Sequence, residues 1–241
     1  MKKIILLLLL APALSNAQFK DLVKQANTKI STMKNVPIGT PDISAGLKEA
    51  LNKGIEKQVS KLTAVDGFYK NEMVKILVPD ELSKVDKTMR KLGMGKLADD
   101  GIKSLNRAAE DAVKEATPVF LAAIKNMSIS DAKNILMGSD NAATGYLQSA
   151  TTKELYAKFL PIVQQSIGKV GADKIWSSII TKYNGMPLVS KVNPDINDYV
   201  TQKALEGVFK MIAVEEKNIR TDISSRTSPL LKKVFAMQDR K

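Results

Sequence analysis

The sequence predicts an all-α fold: a single multi-helix globular domain after a cleaved signal peptide. Three observations carry this. Apolar residues recur every three or four positions through most of the chain beyond residue 42. Helix-start and helix-stop residues punctuate those runs. The one apolar run of β-like character, residues 67–79, has no second strand to pair with.

The first seventeen residues stand apart. Lys2 and Lys3 make a charged start, and residues 4–10 are an unbroken apolar run. Ser15 and Ala17 then put small residues at the −3 and −1 positions of a signal-peptidase site. The run is too short to span the ~30 Å hydrocarbon core, which takes a helix of about 20 residues. Residues 1–17 are therefore expected to be a secretory signal peptide, with the mature chain starting near Gln18. Residues 18–42 form a leading helix (19–33) and a linker, and residues 43–241 the helical domain.

Residues 43–62 place Leu47, Leu51, Ile55, Val59 and Leu62 on one face and Lys53, Lys57 and Lys61 opposite, an amphipathic helix. Thr40-Pro41-Asp42 supplies its start, through either Thr40 or Asp42. Residues 67–79 are best read as a hydrophobic loop pinned onto helices. Asp80 is expected to cap a helix through Leu92, stopped by Gly93 and Gly95. A helix over 97–117 turns Ile102, Leu105, Ala109, Ala112, Val113 and Ala116 inward. Thr117-Pro118 marks a break before a new helix to Met127. Ser128 and Asp131 open a short helix ending at Gly138.

Asp140 is expected to cap a helix to about Ser149. Thr151 and Glu154 read as a capping box opening another helix, kinked by Pro161. Residues 173–183 form a helix around Trp176 and Ile180, followed by a loop of turn formers to Pro194. Asp195 or Asn197 opens the longest helix, to Arg220, with Val200, Ala204, Leu205, Val208, Phe209, Ile212 and Ala213 inside. Thr227 caps a last short helix carrying Leu230, Leu231, Val234 and Phe235.

Three blocks then stand out together: Gly46-Leu-Lys-Glu-Ala-Leu51; Leu105-Asn-Arg-Ala-Ala-Glu110 with Pro118-Val-Phe and Lys125-Asn-Met; and residues 198–213 with Glu215-Glu-Lys, Ile219-Arg220, Arg226-Thr227 and Leu230-Leu-Lys-Lys-Val-Phe235. In order and spacing they resemble the bacterial family catalogued as domain of unknown function 4197, from about residue 46 to residue 236. Val214 departs from it, standing where an acidic residue is expected. The resemblance implies a helical exported protein of Gram-negative bacteria, and it implies no activity.

Composition removes whole classes of chemistry. The chain has 241 residues, no Cys and no His. It therefore has no disulfide, thiol nucleophile, imidazole base, Ser-His-Asp triad or ordinary zinc site, and no cofactor is expected. Lys and Arg number 37 against 25 Asp and Glu, a formal charge of +12. The excess lies in lysines along solvated helix faces and not in a run. With only twelve aromatics, a nucleic-acid surface is not expected. Peripheral attraction to anionic lipid headgroups is the most membrane contact such a surface implies.

Two polar constellations are candidates. Asn106, Arg107 and Glu110 share one helical turn. They either line a cleft, with Arg107 forking onto an anionic ligand, or form a network that fixes helix packing. The small residues Ala108, Ala109 and Ala112 favour the second. Glu206, Glu215, Glu216, Lys217, Arg220 and Arg226 make the other group, with Glu216 and Arg220 in the favourable i,i+4 order. Glu206 and Glu216 are about 15 Å apart along a helix axis, too far for paired-carboxylate hydrolysis at about 5–9.5 Å. Gly93-Met-Gly95-Lys96 lacks the spacing of a phosphate loop and reads as a helix stop. Asp99-Asp100 and Ser139-Asp-Asn141 lack the alternation of a calcium loop and read as helix-start acids.

The expectation is an exported, non-enzymatic binding protein of the cell envelope, periplasmic or alternatively extracellular. Its expected partner is an apolar molecule with an anionic head, such as a fatty acid or phospholipid, bound under a lid of Met73, Val74, Ile76, Leu77 and Val78 with Arg107 or Arg226 at its mouth. The alternative is a module that docks onto an envelope protein through the same loop and the leading helix. A third reading, a hydrolase using a Ser-Lys pair or convergent carboxylates, has no residue singled out by sequence. The candidate ligand-binding residues are Asn106, Arg107, Glu110, Arg226, Ile76 and Leu77.

Overall fold

A computed structural model describes residues 39–79, 83–169, 171–188, 191 and 193–239. The expected signal peptide, the expected leading helix over 19–33 and the expected Asp80 cap lie outside these residues. Helix α1, Thr40–Thr63, starts three residues earlier than its apolar periodicity, at the Thr-Pro-Asp signal. Its predicted apolar face is buried throughout, and Lys53, Lys57 and Lys61 are exposed. A turn-rich segment, residues 64–79, leads to α2 (Ser83–Lys91) and α3 (Gly95–Val113). Gly93, at φ +78°, makes the reversal between them, where a left-handed residue suits Gly.

Helix α4 (Ala116–Asn126) follows after Lys114 and Glu115, so the break falls before Thr117 and not at it. Pro118 then sits in the first turn, where a missing amide hydrogen costs nothing. Ser128 and Asp131, expected to open a short helix, form a capping box at α5, Ile129–Met137: the serine hydroxyl accepts from the Asp131 amide at 3.0 Å, and the Asp131 carboxylate accepts from the Ser128 amide at 3.1 Å.

Residues 142–168 form one continuous helix, α6 (Ala142–Gly168), where the sequence predicts two. The Thr151 hydroxyl does not cap. It is buried and donates to the Leu147 carbonyl at 2.6 Å, four residues back. Nor does Asp140 cap the start: Asn141 is the N-cap residue and makes no side-chain cap bond. Helix α7 (Ala172–Asn184) carries the buried Trp176 and Ile180. Asp195 caps α8 (Ile196–Thr221), accepting from the amides of Asn197 and Asp198. Ser228, not Thr227, caps α9 (Pro229–Phe235), its hydroxyl accepting from Leu231 N–H with Pro229 at the first position.

Among the described residues every regular element is a helix, and none is long and apolar enough to cross a membrane. Helix α8 is central and packs on α6, α3 and α1; α1 in turn packs on α5, α4 and α9. Phe120 of α4 meets Phe209 of α8 edge-on, with centroids 5.8 Å apart. The predicted inward residues of α8 are buried except Ala213, which is half-buried.

Candidate functional site

The hydrophobic segment after α1 is seated by α3. Two side chains one turn apart, Asn106 and Glu110, face it and satisfy its backbone much as a neighbouring strand would. The Asn106 amide oxygen accepts from Ile76 N–H at 2.8 Å, and its nitrogen donates to the carbonyls of Ile76 and Ile102, each at 2.8 Å. Asn106 has no exposed surface. Glu110 accepts from the amides of Phe68 at 3.0 Å and Tyr69 at 3.4 Å. Arg107 pairs with Glu110 and, at 2.5 Å, with Asp66, a non-glycine residue at φ 67°. The hydrogen bond from Lys70, aided by the nearby charges of Arg107 and Lys103, holds the Asp66 carboxyl below its ordinary value.

Beneath the segment, Phe68, Val74 and Ile76 are buried. A Cβ on Gly207 of α8 would stand 2.7 Å from the Phe68 ring, so only glycine lets the segment lie this close to α8. The expected lid is therefore a packed-down seal. Phe68 and Val74 pack against Gly207 of α8, and the Ile76 backbone is bonded to Asn106 of α3. What remains open is a groove on the outer side. It has a volume near 450 Å³, and its lining includes Met73, Leu77 and Val78 from the segment and Tyr199, Lys203 and Lys210 from α8. Met73 and Leu77 are 44% and 53% exposed. The Tyr199 hydroxyl donates to the Leu77 carbonyl at 2.8 Å, pinning the groove's edge. Lys75 lies over the Tyr69 ring, 4.8 Å from its centroid, and Lys203 bonds Glu206 at 2.7 Å.

The candidate residues thus divide. Asn106, Glu110 and Ile76 come together, but as buried anchors. Of the six, Leu77 and the largely buried Ile76 line the groove, and only Leu77 is exposed there. Arg107 opens instead onto a separate shallow depression of 390 Å³ whose lining mixes Asp100 and Asp111 with Lys103 and Lys169. Arg226 is elsewhere. It is 2% exposed, forks onto Asp239 at 2.6 and 2.8 Å, and donates to the carbonyls of Ile219 and Arg220 at the C-terminal end of α8. It does not stand at the mouth of the groove, because every arm of its guanidinium is already engaged.

The second predicted group is also internal. Glu216 accepts from the amides of Ala143 and Thr144 and from the Thr144 hydroxyl, at 2.7–2.9 Å. It supplies from another helix the cap that Asn141 does not provide to α6. Arg220 bonds Glu216 and donates to the carbonyls of Ile135 and Leu136 at the end of α5. Glu215 accepts from Gln58 at 2.6 Å and Lys57 at 2.7 Å. Among the described residues no group of three acidic side chains is placed to hold a metal ion.

The order of these blocks along the chain is that of a known family. The model of the family described as "Protein of unknown function (DUF4197)" matches residues 37–236. The chain belongs to that family. The matched region takes in the seated segment, its anchors on α3, the groove and the Glu216–Arg220 network. No curated protein and no solved structure matches this DUF4197 chain.

Sequence reading missed the α8 side of the groove. Tyr199, Lys203, Glu206 and Lys210 recur at spacings of four, three and four and so share one face. That spacing is visible in the sequence, but without the segment opposite it nothing distinguishes it from a solvated helix face.

Proposed function

We propose that this DUF4197 protein is an exported, non-enzymatic binding protein of the cell envelope, periplasmic in location. Its ligand is an apolar molecule with an anionic head, held in the groove between residues 73–79 and α8. One observation carries the reading: Met73 and Leu77 stay exposed on a segment whose backbone is otherwise firmly fixed, and lysines 75, 203 and 210 rim them. An acyl chain laid on these side chains gains about 0.8 kcal/mol for each methylene it buries. A carboxylate or phosphate at its end meets the lysines. The groove's volume falls within the ~300–1,000 Å³ common for small-molecule sites. Arg107 and Arg226 have no part in this site, and the lysines take the role expected of those arginines.

Native mass spectrometry of the mature protein purified from the envelope tests the proposal. Lipid or fatty-acid adducts are expected on the wild type and should be lost in Leu77→Glu and weakened in Lys203→Glu. A protein that carries no adduct and takes up no added fatty acid would overturn it. N-terminal sequencing of the same material tests export, with Gln18 expected as the first residue.

A further inference from the structure

Helices α2 and α3 form a hairpin whose turn is apolar. Leu92, Met94 and Leu97 are 71%, 44% and 59% exposed, within six residues of one another. Arg90 braces the two arms, bonding Asp86 of α2 at 2.9 Å and Asp99 of α3 at 2.7 Å, so the turn is held and not trailing. A Cβ on Gly93 at its apex would meet nothing within 4 Å, so the apex points into open space. Scattered exposed apolar residues are ordinary on a protein surface. Three at one braced apex are not.

The surrounding charge says what covers them. Residues 83–100 carry Lys84, Lys87, Arg90, Lys91 and Lys96 against Asp86, Asp99 and Asp100; Arg90 is paired with Asp86 and Asp99, and Lys96 with Asp100. Lys87, Lys91 and Lys96 are exposed. A protein partner for this apex needs an apolar pocket ringed by acids. An anionic bilayer presents that combination everywhere: phosphates at the surface and hydrocarbon a few ångströms beneath.

We propose that the α2–α3 apex is a membrane-insertion wedge. Leu92, Met94 and Leu97 enter the boundary between headgroups and acyl chains, and Lys87 and Lys91 meet the lipid phosphates. The wedge uses a surface distinct from the groove and stands whether or not the groove binds a lipid.

Flotation of the full mature protein with phosphatidylglycerol-containing vesicles, against vesicles of phosphatidylcholine alone, tests it. Wild type is expected to float with the anionic vesicles at low ionic strength. Leu92→Ser, Met94→Ser and Leu97→Ser combined should lower partitioning at least about tenfold, with circular dichroism and melting unchanged because the three side chains are exposed. Lys87→Glu with Lys91→Glu should abolish the preference for anionic lipid. Because the chain has no cysteine, Met94→Cys places a single environment-sensitive dye at the apex, and its emission should shift to the blue on vesicle addition. Leu77→Ser should float like wild type, which separates this test from that of the groove. Failure of wild type to float, flotation of the triple serine variant at wild-type strength, or a dye that stays in water would each overturn the wedge. So would crosslinking from position 94 to a protein and not to lipid.

Discussion

Replacing Asn106 by leucine is expected to cost about 2–6 kcal/mol of folding stability, and the figure follows from which partners are left behind. Leucine keeps the branched four-heavy-atom skeleton of this fully buried side chain, so no cavity opens. It removes both bonds to the Ile76 backbone. Ile76 is itself 2% exposed, so its N–H and C=O find no water in exchange. Each such orphaned group costs about 1–3 kcal/mol. The third bond, to the Ile102 carbonyl, adds little, because that oxygen already has its place in the α3 ladder. Against a total stability of order 5–15 kcal/mol for a domain, this is a large fraction. Urea unfolding followed by circular dichroism measures it as a lower midpoint at unchanged slope. Hydrogen exchange should show the amide of Ile76 losing protection before the helices do. The variant Asn106→Asp keeps the acceptor for Ile76 N–H but loses the donor and buries a charge, so it should be no more stable than the leucine variant. If Asn106→Leu unfolds within about 0.5 kcal/mol of wild type, the segment is not held by this side chain and the account of the seated loop fails.

Two further outcomes follow from the buried charges and the hydrogen-bonded acids. Glu216→Ala leaves Arg220 unpaired among side chains and uncaps the first turn of α6. It should cost about 3–5 kcal/mol in the same urea experiment, and a loss under about 1 kcal/mol would contradict the internal-cap reading. With no imidazole to titrate, the melting temperature should stay level through neutral pH and fall in acid. The Arg226 hydrogen bond holds Asp239 below its ordinary 3.8, and the Lys70 hydrogen bond does the same for Asp66. Desolvation pushes Asp198 up, but hydrogen bonds from Tyr156, Gln202 and Asn193 outweigh it. Carboxyls lower when folded bind fewer protons than the unfolded chain does. Their contribution is therefore complete above about pH 4 and disappears as pH drops through the folded values. Tyr156 runs the other way: its hydrogen bond to Asp198, and then burial, raise it from 10.0 to about 12. Its contribution is present below pH 10 and lost as pH rises through about 12. Scanning calorimetry across this range checks both ends, and a maximum at acidic pH would refute the assignment.

Helix content was legible in the sequence because burial here follows the 3.6-residue period almost without exception, as α1 and α8 illustrate. Helix ends were less legible, for a definite reason. A Thr-x-x-Glu pattern denotes a capping box only where the preceding turn is not helical. At Thr151 the hydroxyl instead finds the Leu147 carbonyl, and the helix runs through. The true cap of α6 comes from Glu216, 73 residues away from Ala143, and no local pattern encodes that. Asn106, Arg107 and Glu110 were recognisable as a cluster on one turn. That they hold a neighbouring segment, and do not line a cleft, depended on a partner thirty residues upstream and on Gly207 across the way.

Glu110, Glu216, Arg220 and Arg226 are all more than nine-tenths buried, and a shared logic governs them. Each binds peptide groups where regular structure stops. Glu110 takes the amides of Phe68 and Tyr69, Glu216 those that open α6, Arg220 the carbonyls that close α5, and Arg226 those that close α8. Unpaired peptide groups at such places are costly, and a charged side chain reaching from another helix satisfies several at once. This leaves these residues little capacity for a ligand, however reactive they look in one dimension. Recognition then falls to surfaces where apolar side chains meet water beside lysines. Two such surfaces among the described residues are the groove at Met73 and Leu77 and the apex at Leu92, Met94 and Leu97. They are neighbours: the charge of Lys75, on the groove's rim, reaches Asp99 in α3 and helps lower its pKa, after the larger effect of Arg90. On the two proposals together, a wedge seated in a bilayer brings the groove close to the lipid surface. If so, variants of the apex should slow loading of the groove from vesicles while leaving uptake of a monomeric fatty acid from solution unchanged.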